Sequence, residues 1–115
     1  MTVEKVIENG MTYRVESEGA TVVKMKMEPV LIYAPVAPAI NSGDVLSIPM
    51  HLEDFDGEPR HDNMQVTFVL DGETIPMPMT NGQLTLELEL VTRGRHHIGV
   101  IPLGLSMTPL DIEVV

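Results

Sequence analysis

The chain has no cysteine. Disulfide staples, thiolate nucleophiles and cysteine-ligated zinc are therefore excluded. It has no tryptophan, two tyrosines and two phenylalanines. A core must then be filled by aliphatic side chains and by some of the nine methionines, whose flexible thioethers suit irregular gaps. Basic residues are scarce: seven Lys and Arg stand against 17 Asp and Glu, a formal net charge of −10. Nucleic acid and anionic membrane both require a positive footprint, so neither is expected as a partner. No apolar run approaches the ~18 residues that cross a bilayer; the richest, 30–40, is interrupted by Pro35 and Pro38. The opening Met1-Thr2-Val3-Glu4-Lys5-Val6-Ile7-Glu8 lacks the cationic stretch and apolar run of a secretory signal. Cytoplasmic synthesis without signal-directed export is expected, a start that also suits a virion protein released by lysis.

Helix signals are equally sparse. Nine glycines and nine prolines punctuate short segments, and between them the apolar period is two. Leu84, Leu86, Leu88 and Leu90 alternate with Thr85, Glu87 and Glu89. Leu46, Ile48, Met50 and Leu52 alternate with Ser47, Pro49, His51 and Glu53, and Val66, Phe68 and Leu70 alternate with Gln65, Thr67 and Val69. Val23, Met25 and Met27 alternate with Lys24 and Lys26. Each set reads as a strand with one buried face. Leu and Glu favour helices, but strict alternation would scatter the four leucines around a helix. Asn9-Gly10 between apolar segments predicts a type I′ hairpin. Glu18-Gly19, Asp56-Gly57, Asp71-Gly72, Asn81-Gly82 and Arg93-Gly94 supply further turns. The class is all-β, and 115 residues make one domain with an appended arm.

Three stretches follow. Residues 1–33 read as a strand–turn–strand–turn–strand arm, too small to bury enough apolar surface alone. Residues 34–43 read as an extended, proline-stiffened linker, and 44–115 carry about six strands. Residues 20–33 are among the most β-prone. They either complete the domain's own sheet or pair with another subunit by strand addition.

The order within 44–115 is an alternating strand from Val45 to Leu52 and the turn Asp54-Phe55-Asp56-Gly57-Glu58-Pro59. Val66-Thr67-Phe68, Asp71-Gly72, Asn81-Gly82-Gln83-Leu84-Thr85-Leu86 and Gly94-Arg95-His96-His97-Ile98-Gly99-Val100 follow. This order resembles the bacterial immunoglobulin-like domains of adhesins and phage tail proteins. His96 stands where such domains usually carry an aromatic. The opening Val6-Ile7-Glu8-Asn9-Gly10-Met11-Thr12-Tyr13-Arg14-Val15 resembles the start of small proteins in phage structural gene clusters. The resemblance implies an immunoglobulin-like β-sandwich with an N-terminal β-arm. It also implies a non-enzymatic role in a tail, baseplate or head decoration, with self-association or docking on other virion proteins. The alternative is an adhesion or carbohydrate-binding module working through loops 54–63 and 92–97.

Among chemistry-bearing residues, Asp54, Asp56, Glu58 and Asp62 form a candidate calcium set. EF-hand spacing fails, because position 6 counted from Asp54 is Pro59 and position 12 is Gln65; the competing reading is an acidic turn whose aspartates cap their own backbone. His51, His61, His96 and His97 do not converge for zinc, since neighbours on a strand point to opposite faces. No serine sits in a Gly-x-Ser-x-Gly elbow, and no nucleophile, base and orienting group can be assembled, so an enzyme is not expected. For interaction surfaces the candidates are Val23, Met25 and Met27 on the arm, and Met77 and Met79 around Pro78. Gap-filling in an aromatic-poor core is the competing reading of the methionines.

Overall fold

The computed structural model describes residues 1–102 and 104–115, and it is all-β, with three open sheets and no helix. The first 27 residues form a separate meander. Strands β1 (Thr2–Glu8), β2 (Met11–Glu18) and β3 (Thr21–Met27) pair antiparallel in that order. Asn9 and Gly10 both take positive φ, 51° and 75°, as a type I′ turn requires.

The remaining strands build two sheets around one core. β4 (Val30–Tyr33), β6 (Val45–Glu53) and β9 (Gln83–Glu89) lie side by side, with the two-residue β11 (Ser106–Met107) parallel to β4 at the edge. The other sheet runs β5 (Ala39–Ile40), β12 (Leu110–Val114), β10 (Gly94–Val100), β7 (Met64–Leu70) and β8 (Glu73–Met79). Alternation explains the core. Ile48, Met50, Leu52, Leu84, Leu86 and Leu88 are buried from one sheet, and Val66, Phe68, Ile98, Ile112 and Val114 from the other. Among the described residues Phe68 is the one buried aromatic of this core; Met50, Met79 and Met107 are buried with it.

Residues 34–43, expected as a linker, are instead the crossover between these sheets. Ala34 donates to the Pro49 carbonyl, and Pro49 has no N–H with which to answer, so the β4 ladder stops there. The chain then passes Pro35 and Pro38 and pairs as β5, parallel to β12. Segment 20–33 divides: 21–27 belong to the projecting meander, and 30–33 complete the sheet of β6.

Two sequence expectations need correction. Val23 and Met25 do not share a buried face; they are 45% and 37% exposed, because among the described residues no body strand packs on the meander. Met77 and Met79 form no docking patch. Met79 is 2% exposed, and Met77 packs against the core, because the strand's odd residues face inward despite Pro76 and Pro78.

Among the described residues no strand of the meander packs against a strand of the body. The molecule measures 59 × 25 × 22 Å, with a radius of gyration of 17.2 Å against about 13 Å for a compact chain of this length.

Candidate functional site

The projecting sheet and its joint to the body form the candidate site. Register puts Val3, Lys5 and Ile7 of β1 on one face with Thr12, Arg14 and Glu16 of β2, and with Val23, Met25 and Met27 of β3. The opposite face carries Glu4, Val6 and Glu8, then Met11, Tyr13 and Val15, then Val22, Lys24 and Lys26. Both faces are open. Ile7 and Val22 are each 65% exposed, and Val3 and Met11 are also exposed. Local pairs support the sheet: Arg14 to Glu16 at 3.0 Å, Lys24 to Glu8 at 2.6 Å, and the Lys24 ammonium 4.5 Å from the Tyr13 ring centre.

One end of the first face lands on the turn at 54–60. Asp54 closes that turn through its backbone, donating to Glu58 O and accepting from Gly57 N. Its carboxylate is 8% exposed. Oδ2 lies 2.7 Å from Lys5 Nζ; Oδ1 accepts from an Arg60 terminal nitrogen at 3.0 Å and from the Thr12 hydroxyl at 3.3 Å. Lys5 also reaches Glu58 at 2.7 Å and Asp56 at 3.4 Å, and Arg60 grips Asp62 at 2.8 and 3.2 Å. Burial alone would push the Asp54 carboxyl up; the hydrogen bonds from Lys5 and Arg60 outweigh it and hold the group below its ordinary 3.8. The same contacts, led by Asp54, raise the Lys5 ammonium, and Asp62 leads in raising Arg60.

Of the four carboxylates proposed for calcium, Asp54, Asp56 and Glu58 meet at Lys5, while Asp62 pairs with Arg60. A calcium ion there would have to displace Lys5. Among the described residues no group of three or more His, Asp or Glu is arranged to hold a metal. Clefts of about 330 and 230 Å³ flank the joint, the first reaching Ile7 and Asp54 and the second Met27 and Met64. A shallow groove of about 690 Å³ lies on the outer face around Tyr33, Pro49 and Thr85.

The histidines stay apart. His51 pairs with Glu53, and His97 with Asp111 at 2.7 Å. His96, 12% exposed on its side chain, presents Nδ1 to Asp71 at 2.6 Å and Nε2 to the Thr92 carbonyl at 2.6 Å. Both ring nitrogens face acceptors, so the imidazolium form is favoured. The Thr92 carbonyl, then Asp71, raise its pKa above 6.5. Asp71 is lowered, first by the His97 amide and then by His96. An ion pair thus occupies the place of the expected aromatic.

Lys5, Thr12 and Arg60 were missed by sequence reasoning. One local signal existed: Lys5 sits between Val3 and Ile7 on the same face of a β-strand, a charge where the pattern asks for an apolar residue. No protein-family model and no curated protein matches the chain.

Proposed function

We propose that the chain is a non-enzymatic structural module that works by protein–protein association, an immunoglobulin-like body presenting the β1–β3 sheet to its partner. One observation carries this reading: three strands project from the body, anchored at one end of one face by Lys5 and Thr12, with the rest of both faces toward solvent. Six large apolar side chains on them are exposed, namely Val3, Ile7, Met11, Val22, Val23 and Met25. Small sheets need a covered face for stability; Val3, Ile7, Val23 and Met25 share one face and Met11 and Val22 the other, and exposed apolar surface of this kind marks interaction sites. The joint spends its charges internally, which suits a fixed presenting arm more than a ligand site.

Strand distribution supports the immunoglobulin-like part. With β4, β6, β7, β9, β10 and β12 taken as A, B, C, E, F and G, strands A, B and E share one sheet. Strands C, F and G share the other, with β8 placed as C′ is in variable-type domains. With the resemblance of 44–115, the setting we infer is a phage or prophage particle: tail, baseplate or head decoration.

The test is light scattering on a size-exclusion column over a hundredfold concentration range. It compares the full chain with Val3→Thr/Val23→Thr/Met25→Thr, which keeps β-compatible residues while removing apolar surface. A mass above 12.7 kDa that falls back in the variant is expected. A 12.7 kDa species throughout for both chains counts against the reading.

A further inference from the structure

The free sheet edges of this molecule are guarded unequally. On β7 the amide of Asp71 donates to His97 O, and Thr67 O accepts from Ile101. The odd residues of β7 therefore face β10, and its even residues bond β8. By register, Thr74, Pro76 and Pro78 turn outward from β8. The two prolines remove two of these three outward N–H groups, a device that hinders strand addition.

β9 has no such guard. Leu52 N donates to Gly82 O and Ala34 N to Pro49 O, so even residues of β6 face β9. Register then leaves the N–H and C=O of Thr85, Glu87 and Glu89 pointing outward. Among the described residues no other backbone hydrogen bond uses them. On β3 the two-residue turns at 9–10 and 19–20 make Glu8–Met11 and Glu18–Thr21 the closing pairs. Val22, Lys24 and Lys26 consequently present free N–H and C=O groups.

These two edges, of β3 and β9, carry opposite charge: Lys24 and Lys26 stand on the first, Glu87 and Glu89 on the second. Pairing β3 with β3 sets lysines opposite lysines, and pairing β9 with β9 sets glutamates opposite glutamates; both are disfavoured.

Resting on the assembly reading above, we propose that β3 of one copy adds to the free edge of β9 on a second copy. The strands run antiparallel, with Lys26 opposite Glu87 and Lys24 opposite Glu89. In that register Val22, 65% exposed, meets Val91, 60% exposed. Lys24 exchanges its intramolecular Glu8 partner for Glu89. The contact joins two different surfaces, so it repeats head to tail and yields an open chain or a ring of copies.

The test uses full-length chains. Lys24→Glu/Lys26→Glu and Glu87→Lys/Glu89→Lys should each remain at 12.7 kDa at concentrations where the wild type associates. An equimolar mixture of the two should recover association, because the reversed edges complement each other. The cysteine-free sequence then permits a register check. A mixture of Lys26→Cys and Glu87→Cys chains should form an intermolecular disulfide on oxidation, several-fold more than Lys26→Cys with Thr85→Cys. Association that persists in both reversed variants, or a mixture that fails to recover it, overturns the contact and leaves the assembly reading standing. A wild type at 12.7 kDa at every concentration overturns both.

Discussion

Replacing Lys5 by Met should loosen the arm without weakening the body. Met keeps the unbranched stem and removes the ammonium. Three carboxylates lose a partner, but they do not weigh equally. Glu58 and Asp56 are 68% and 38% exposed on their side chains, and exposed pairs contribute about 0–1 kcal/mol. Asp54 is 8% exposed and keeps Arg60 and Thr12, so the cost falls well short of the 3–5 kcal/mol for orphaning a buried charge. About 1.5 kcal/mol is the resulting expectation, or roughly a 12-fold change in an opening equilibrium.

The location of that change matters more than its size. Because among the described residues no arm strand packs on a body strand, the lost energy should appear as local opening. Native-state hydrogen exchange of Lys5→Met should show β1–β3 amides faster by about tenfold, with Ile48, Phe68, Leu86 and Ile98 unchanged. Added salt should shrink the difference between wild type and variant. Equal acceleration of body amides would show that Lys5 supports the fold as a whole. Unchanged exchange everywhere would show that the joint is not the arm's anchor. Either result refutes the reasoning.

Acid should act on the same joint. The Asp54 carboxyl is lowered in the folded chain, so its contribution is present above the ordinary 3.8 and is lost as pH falls through the folded value; the protection of β1–β3 amides relative to their intrinsic exchange should fall below about pH 3.8. His96 has the opposite sign. Its pKa is raised, so its contribution is complete below 6.5 and disappears as pH rises through the folded value. Thermal melts of His96→Phe from pH 5 to 9 should lack that alkaline decline. Gly82→Ala should cost at least about 2 kcal/mol, read as a lowered urea midpoint: Gly82 sits at φ +72°, and an added Cβ would lie 1.8 Å from the Arg60 carbonyl oxygen.

The body was legible because local chemistry and tertiary burial agree there. In β9, Leu84, Leu86 and Leu88 are buried while Thr85, Glu87 and Glu89 are exposed, so the written alternation is the observed one. Turns carried their own signal: Asp71-Gly72 and Asn81-Gly82 take positive φ at both positions. Alternation failed on β3. It reports that one face differs from the other, and it does not say whether anything covers that face. Val23 and Met25 sit at strand positions that would be buried if a second layer existed. Proline also misled at 34–43. Pro35 and Pro38 stiffen the chain, but the two-residue strand just beyond them still finds β12, and Glu113 N donates to Pro38 O and Val115 N to Ile40 O.

The acidic turn shows why residue type alone underdetermines a site. Asp54, Asp56, Glu58 and Asp62 are the oxygen donors a calcium ion wants, and they are also what an incoming lysine wants. The two outcomes differ only in what the fold brings from far away, here Lys5 from 49 positions upstream of Asp54. An ammonium makes a joint between two parts of one chain, since it is tethered to β1 and carries that strand with it. A bound ion would hold the turn and leave the arm untethered. The acidic cluster therefore does more than cap its own turn: through Lys5 it ties β1 to residues 54–58 and fixes one end of the arm's first face on the body.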